Sequence, residues 1–284
     1  MSAETLEMVL RELCLTAIAP RIGEMIELAE VQNWGYRRLL LQLCETELAD
    51  RRERRHQRYL RDSRLPAGKT LGNLDESRLP LKIRRQLPTL LEGSFVERGE
   101  NLLAFGLPGR GKTHFLCALG RELILRHGHA VYFTPTFKLV QQLLNAKKEL
   151  RLDAALKKLD HYDAIILDDI GYVQQSREEM EVLFTFLADR YERRSLLISS
   201  NLIFSKWDQI FKDPMTTMAA VDRLVHHAII LEFDGESMRA PRHKDSSSSL
   251  AAPASSLASA TSSAPAGAKD SAPAKELAQR AIEQ

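Results

Sequence analysis

Hydrophobic and polar residues follow two different patterns along this chain. Over residues 4–62 the apolar residues recur every three or four positions and glycine is sparse, which predicts helices. From residue 102 onward, short aliphatic runs alternate with stretches of helical periodicity. The runs that we interpret as strands are residues 102–105, 130–134, 164–167, 195–201 and 229–233. This order of elements predicts two or three helices followed by an α/β domain.

The domain organisation follows from these patterns and from shifts in composition. Strands that alternate with helices predict a mainly parallel sheet with helices on both faces. We assign residues 1–65 to a small N-terminal helical domain, residues 66–80 to a linker and residues 81–244 to the α/β domain. Residues 245–284 are rich in Ser, Ala and Pro and have almost no large apolar side chains, which predicts a disordered tail.

A glycine-rich loop follows the first predicted strand. Its sequence, GLPGRGKT at residues 106–113, matches the pattern G-x-x-x-x-G-K-[ST] at every fixed position. The glycines allow backbone N–H groups to point at phosphate oxygens, while Lys112 adds positive charge and Thr113 offers a hydroxyl to Mg²⁺. The helix predicted from residue 114 to 126 directs its positive end at the same phosphates. We therefore expect ATP and Mg²⁺ to be held by Gly106, Leu107, Pro108, Gly109, Arg110, Gly111, Lys112, Thr113 and His114.

Two carboxylates and an amide end the later strands. Asp168 and Asp169 follow an aliphatic run, as in the second motif of P-loop nucleoside triphosphatases, where one acid holds Mg²⁺ and the next polarises the attacking water. Asn201 ends the strand that comes after, where it is expected to orient water or sense the γ-phosphate. Because ligands bind at the carboxyl ends of parallel strands, we expect these side chains to meet the P-loop there.

Charge along the chain is balanced overall but locally uneven. The 40 basic residues nearly match the 38 acidic ones, so net charge says nothing about nucleic acid. A basic block nevertheless begins where the N-terminal helices end, and it allows either a solvated helix face or a phosphate-contacting patch. The candidate DNA-binding residues in this block are Arg51, Arg52, Arg54, Arg55 and Arg58.

Cysteine usage and hydropathy indicate the compartment. The three cysteines, Cys14, Cys44 and Cys117, are scattered and suggest reduced structural thiols. No apolar run approaches the length of a membrane span, and the N-terminus lacks the layout of a signal peptide. We expect a cytoplasmic protein with no membrane partner.

Several segments in fixed order resemble one family. The segments GLPGRGKTHF (residues 106–115), ILDDIGY (166–172), ISSNL (198–202) and AAVDRLVHHA (219–228) are similar to those of AAA+ ATPases of the DnaC and IstB group, with the closer likeness to IstB. The leucine-rich N-terminal helix that runs into the arginine block is also similar. The resemblance covers roughly residues 5–240 and implies an AAA+ fold.

The resemblance also implies a function. IstB-like proteins are ATP-dependent helpers of transposition that assemble on duplex DNA and deliver it to a partner transposase. Each nucleotide lies at the boundary between subunits of a homo-oligomer, where a neighbouring arginine reaches the γ-phosphate; the matching residue is Arg223. We therefore expect an ATPase whose catalytic residues are Lys112, Asp169, Asn201 and Arg223, with Thr113 and Asp168 at the metal.

Other functions are compatible with the same motifs. A DnaC-like helicase loader shares the ATPase but uses its N-terminal domain to bind a helicase. A P-loop kinase would need a lid and an acceptor pocket, which no segment clearly supplies. A protein that binds ATP with negligible hydrolysis also stays open, since Asp169 is shorter than the glutamate often found at that position.

Overall fold

The structure is a computed structural model that describes residues 3–171, 176–203, 206–207 and 214–234. The predicted tail at residues 245–284 lies outside these ranges. Among the residues that are described, no helix has the length and apolar character needed to cross a membrane.

The N-terminal helices form a small hydrophobic core of their own. Helices α1 (Ala3–Glu12), α2 (Ile22–Val31) and α3 (Tyr36–Asp62) match the expected helical pattern. The buried side chains Ile18, Ile22 and Leu43 lie at the centre of this core, and partly buried leucines and methionine pack around them. The far end of α3 reaches the α/β domain, where the Phe133 amide donates to the Ser63 carbonyl at 2.7 Å.

Parallel strands form a single sheet within the described part of the chain. Its order is β2-β3-β4-β1-β5, so the first strand lies between the last two. The predicted parallel sheet is confirmed, and each strand boundary agrees with its prediction to within one residue. The strands are β1 (Asn101–Phe105), β2 (Val131–Pro135), β3 (Ala164–Asp168), β4 (Ser195–Ser200) and β5 (Ala228–Glu232).

Helices cover both faces of the sheet. The helices of the α/β domain are α4 (Leu81–Leu91), α5 (Ser94–Glu97), α6 (Lys112–Glu122), α7 (Thr136–Lys148), α8 (Leu152–Asp160), α9 (Arg177–Arg190) and α10 (Pro214–Val225). One core contains Leu103 and Ile165 and is covered by α7 to α10, while the other contains Leu102 and Ile166 and is covered by α4 and α6. Alternate residues of each strand thus face opposite cores, as a sheet buried on both faces requires.

Several of these helices differ from the sequence interpretation. Helices α4 and α5 fall in the first residues of the α/β domain, where no element was predicted. Helix α8 falls in a stretch interpreted only as basic, because its lysines hid the spacing of Leu156 and Leu159, which are buried while Lys157 and Lys158 are exposed. Helix α6 begins at Lys112, two residues earlier than predicted, and ends in a π-helical turn (Leu123–His127).

Candidate nucleotide-binding site

The P-loop joins β1 to α6 through backbone conformations that glycine permits. Gly109 and Gly111 have φ angles of 84° and 87°, in the left-handed region that other residues rarely adopt. Gly106 has a φ of 150°, and a Cβ atom there would stand 2.5 Å from the Phe233 carbonyl oxygen. A larger residue at position 106 would therefore collide with the backbone that follows β5.

Lys112 lies inside this loop rather than in solvent. Its side chain is 6% exposed, and its ammonium donates to the Gly106 and Leu107 carbonyls at 2.6 and 3.0 Å. It also donates to Asn201 Oδ1 at 2.7 Å, which links the P-loop to the end of β4. The sequence prediction that Lys112 and Asn201 meet at the carboxyl edge of the sheet is thus reproduced by the geometry.

A second set of contacts joins Thr113 to Asp168. The Thr113 hydroxyl donates to Asp168 Oδ1 at 2.6 Å, and the Ser199 hydroxyl donates to the same oxygen at 2.7 Å. The Ser199 hydroxyl in turn accepts from the Asp169 amide at 2.8 Å. Hydroxyl and carboxylate oxygens are the ligands that Mg²⁺ prefers, so Thr113 and Asp168 have the right chemistry for that ion.

Ser199 was not among the predicted site residues. A signal was nevertheless present, since Ser199 directly follows the aliphatic run of its strand, two residues before Asn201, and a buried hydroxyl needs a polar partner. In the structure it is 2% exposed and bridges the two aspartates. Thr136, the first residue of α7, adds a further bond by donating to the Asp168 carbonyl at 3.1 Å.

Asp169 combines a raised pKa with an unusual backbone conformation. Its φ of 58° lies in the left-handed region, and both carboxylate oxygens accept from Asn201 Nδ2 at 3.0 Å. Burial, followed by the nearby negative charge of Asp168, raises the pKa of Asp169, whereas Lys112 and the Asn201 hydrogen bond partly offset this rise. A carboxylate with a raised pKa is a stronger hydrogen-bond acceptor toward water, which suits a group that polarises a nucleophile.

His114 and Arg110, which were expected to bind the nucleotide, make contacts with other parts of the chain. The His114 ring lies 3.1 Å from the carbonyl oxygen of Thr70, so it attaches the linker to the start of α6. Arg110 donates to the Phe233 carbonyl at 3.0 Å and lies 3.8 Å from the Asp234 carboxylate. Both side chains border the P-loop, and their role toward nucleotide stays a prediction.

Arg223 lies at the opposite edge of the sheet. It is near the end of α10, and the next residue's carbonyl accepts from the side chain of Asn101, the first residue of β1. Its guanidinium packs over the Phe184 ring at 4.7 Å and donates to the Ala219 carbonyl at 3.3 Å. The P-loop leaves the other end of β1, so the length of that strand, about 16 Å for five residues, separates Arg223 from the P-loop of its own chain.

The arginine block lies on α3. Arg51, Arg54, Arg55 and Arg58 line one concave surface together with Cys14 and Thr16, whereas Arg52 does not line it. Arg51 is paired with the buried Glu47 at 2.9 Å, and Arg54 is paired with Asp50. Burial alone would raise the pKa of Glu47, but hydrogen bonds from the Ala17 amide and Arg51 lower it. In the part of the chain that is described, Arg55 and Arg58 have no ion pair.

The parallel sheet, the P-loop and the adjacent acids Asp168 and Asp169 together define a P-loop nucleotide-binding protein of the AAA+ class. The model of the family described as IstB-like ATP binding protein matches residues 8–247, and the chain belongs to that family.

Similar proteins carry consistent names. An insertion sequence ATP-binding protein of Sinorhizobium fredii is 41% identical over 253 residues, which cover 87% of this chain and 85% of the relative. The IS21 ATP-binding protein of Pseudomonas aeruginosa is 36% identical over 234 residues, which cover 82% of this chain and 88% of the relative.

Solved structures support the fold. The replication initiator DnaA bound to AMPPCP and single-stranded DNA superimposes with a TM-score of 0.51 at 18% identity, covering 62% of this chain and 53% of that one. The crystal structure of DnaI superimposes with a TM-score of 0.50 at 20% identity, covering 60% of this chain and 95% of that one. At such low identities these likenesses bear on the fold alone.

Proposed function

We propose that this chain hydrolyses ATP as part of a homo-oligomer that assembles on duplex DNA and assists a partner transposase. The observation that carries the proposal is the division of the candidate machinery between two edges of the sheet. Lys112, Thr113, Asp168, Asp169 and Asn201 meet at the carboxyl edge, while Arg223 lies at the amino edge. Family membership and the insertion-sequence names of the relatives support the transposition role.

Nucleotide binding is assigned to the P-loop and the residues around it. Phosphate oxygens would replace the Gly106 and Leu107 carbonyls as partners of Lys112, and the loop amides would donate to the same phosphates. Thr113 and Asp168 would hold Mg²⁺, which supplies charge neutralisation at the phosphates when it is bound. Asp169 polarises the attacking water, and Asn201 orients both Asp169 and that water.

Arg223 completes the site of a neighbouring subunit in this scheme. An arginine that enters from outside stabilises the charge that develops on the transferred phosphoryl group and makes assembly a condition of hydrolysis. Arg223 lies near the start of β1 and the P-loop follows its end, so the guanidinium does not reach a nucleotide bound to its own chain.

The concave arginine surface of α3 is the proposed DNA contact. Arg55 and Arg58 are the strongest candidates because the ion pairs of Arg51 and Arg54 already neutralise those two side chains in part. Each copy in an assembly would add its own phosphate contacts, so individually weak contacts gain by multivalency.

The proposal is tested by sedimentation of the full chain with duplex DNA, with and without a slowly hydrolysed ATP analogue. We expect large particles that contain DNA only when the analogue is present, and no helicase or transposase should be needed. A nucleotide-bound monomer that ignores DNA would overturn the proposal and favour a helicase loader or a small-molecule kinase.

A matched pair of variants tests the DNA surface. Arg55→Ala/Arg58→Ala should weaken DNA binding and lower the slope of log affinity against log salt by about two per subunit, since each lost phosphate contact removes about 0.9. Lys157→Ala/Lys158→Ala removes the same charge from exposed positions of α8 and should change neither quantity. Equal losses of DNA affinity in both variants would show that the α3 surface has no specific role in DNA binding.

A further inference from the structure

A compact group of metal-ligating side chains lies outside the nucleotide site. Glu192 follows the end of α9, and His226 and His227 follow the end of α10. All three side chains are exposed, and their ligating atoms lie within 4.8 Å of one another. None of these residues has a role in the nucleotide chemistry described above.

The individual distances are close to those of a coordination sphere. The Glu192 Oε1 atom lies 3.7 Å from His226 Nδ1 and 4.0 Å from His227 Nε2. Two ligands of a tetrahedral metal at about 2.1 Å are separated by roughly 3.4 Å. The ligating atoms would therefore have to approach one another by at most about 1.4 Å, since no pair is more than 4.8 Å apart, and exposed side chains do so through small rotations.

The backbone that carries the three residues is held in place. The His227 carbonyl accepts from the Asn101 amide at 2.8 Å, which fixes it to the start of β1. Glu192 has a φ of 55°, and its backbone packs against Gly99, where a Cβ atom would stand 3.4 Å from the Glu192 carbonyl. The Tyr191 hydroxyl lies 3.1 Å from His226 Nδ1, the nitrogen that faces Glu192, so this hydrogen bond gives way when that nitrogen binds an ion. The backbone segments that carry Glu192 and His227 are thus placed by contacts that do not depend on a bound ion.

The donor set selects a class of metal. Two imidazoles and one carboxylate suit Zn²⁺ and neighbouring transition metals, whereas Mg²⁺ and Ca²⁺ require mainly oxygen ligands. Three protein ligands also leave one tetrahedral position for water or for a side chain of another molecule.

We propose that Glu192, His226 and His227 form a binding site for a divalent transition metal of the zinc class. The ion would join the ends of α9 and α10 at the surface depression that Arg223 lines together with Glu192 and His227. The site is defined without reference to ATP hydrolysis, so it stands or falls separately from the proposed function.

The test is zinc binding to the full chain at neutral pH, measured by competition with a chromogenic chelator. We expect one zinc ion per wild-type chain, and an affinity loss of at least about 100-fold in His226→Ala/His227→Ala. Glu192→Gln keeps the shape of the side chain but removes its charge, and it should show a smaller loss.

Two controls separate this site from other zinc ligands on the chain. His161→Ala removes an exposed histidine that lies outside the cluster, and Cys14→Ser/Cys44→Ser removes the exposed thiols. Both should bind zinc as the wild type does. Binding that survives loss of the histidine pair, or that disappears with the thiols or with His161, would overturn the proposal.

Discussion

The carboxyl and amino edges of the central sheet differ in whether their candidate catalytic side chains contact one another. At the carboxyl edge, Lys112, Asn201 and Asp169 form one hydrogen-bonded chain, and Thr113, Asp168 and Ser199 form another. At the amino edge, Arg223 packs on an aromatic ring and faces a surface depression rather than a site of its own chain.

This difference shows which parts of the mechanism one chain can supply. The carboxyl edge positions the residues that are proposed to bind phosphate and polarise water, because each of them is held by another residue of the same set. In the proposed mechanism, the amino edge presents a cation that reaches a nucleotide only in a second molecule. Four changes, taken from the largest expected effect to the smallest, test this division.

Removing the Arg223 guanidinium should have the largest effect, which is on ATP turnover. Arg223→Ala is expected to lower ATP turnover by about 1,000-fold and to leave ATP affinity unchanged, since an arginine supplied in trans acts on the transition state. Turnover by phosphate release and affinity for a fluorescent ATP analogue measure the two quantities. Arg98→Ala removes a cation from the same depression and should retain most of the turnover. A parallel loss of ATP affinity in Arg223→Ala would show a structural role instead.

Removing the P-loop ammonium should come next. Lys112→Ala is expected to weaken ATP binding by about 100-fold, since hydrogen bonds to charged groups contribute about 1.5–3 kcal/mol each. Equilibrium binding of a fluorescent ATP analogue checks this, with Lys157→Ala on the exposed face of α8 as the control. Wild-type affinity in Lys112→Ala would refute the assignment of the loop as the phosphate site.

Loss of the Ser199 hydroxyl should have a smaller effect. Ser199→Ala removes the bond to Asp168 and leaves the Asp169 amide without its acceptor, so the Mg²⁺ concentration needed for half-maximal turnover should rise about tenfold. Ser200→Ala is the matched control, because the Ser200 hydroxyl donates to the Leu202 carbonyl and not to either acid. Equal changes in the two serine variants would indicate a general loss of packing.

The smallest effect concerns stability. Burial raises the pKa of Asp169 in the folded state, so the carboxyl group ionises less readily there than in the unfolded chain. The free energy of unfolding therefore falls as pH rises through the folded-state pKa. Asp169→Asn is neutral at every pH and tolerates the left-handed φ, so Tm at pH 7 should rise on the order of 2 °C, with less gain at lower pH. Thermal unfolding of the nucleotide-free protein checks this, and a lower Tm at pH 7 would contradict it.

Much of the carboxyl edge could be predicted from the sequence because its signals are local. The P-loop is a continuous motif, and Asp168, Asp169 and Asn201 each end an aliphatic run, which places them at one edge of a parallel sheet. Ser199 escaped prediction because its importance depends on strand β4 lying beside β3, a neighbour relation that spacing along the chain does not encode.

The amino edge was harder to predict for the same reason. Arg223 could be singled out only through the family resemblance, since an arginine near the end of a helix has no local signature. The group formed by Glu192, His226 and His227 joins residues more than thirty positions apart, and it exists only because α9 and α10 end side by side.

The division of the catalytic site between two subunits is tested most directly by mixing two inactive variants. Asp169→Asn lacks the water-polarising carboxylate but keeps Arg223, whereas Arg223→Ala has the opposite defect. If Arg223 acts across a subunit boundary, random assembly of an equal mixture joins an intact carboxyl edge to an intact Arg223 at roughly a quarter of the boundaries. We therefore predict that the mixture hydrolyses ATP far faster than the sum of its parts. Turnover that stays at that sum for every mixing ratio would contradict the division of the site between subunits.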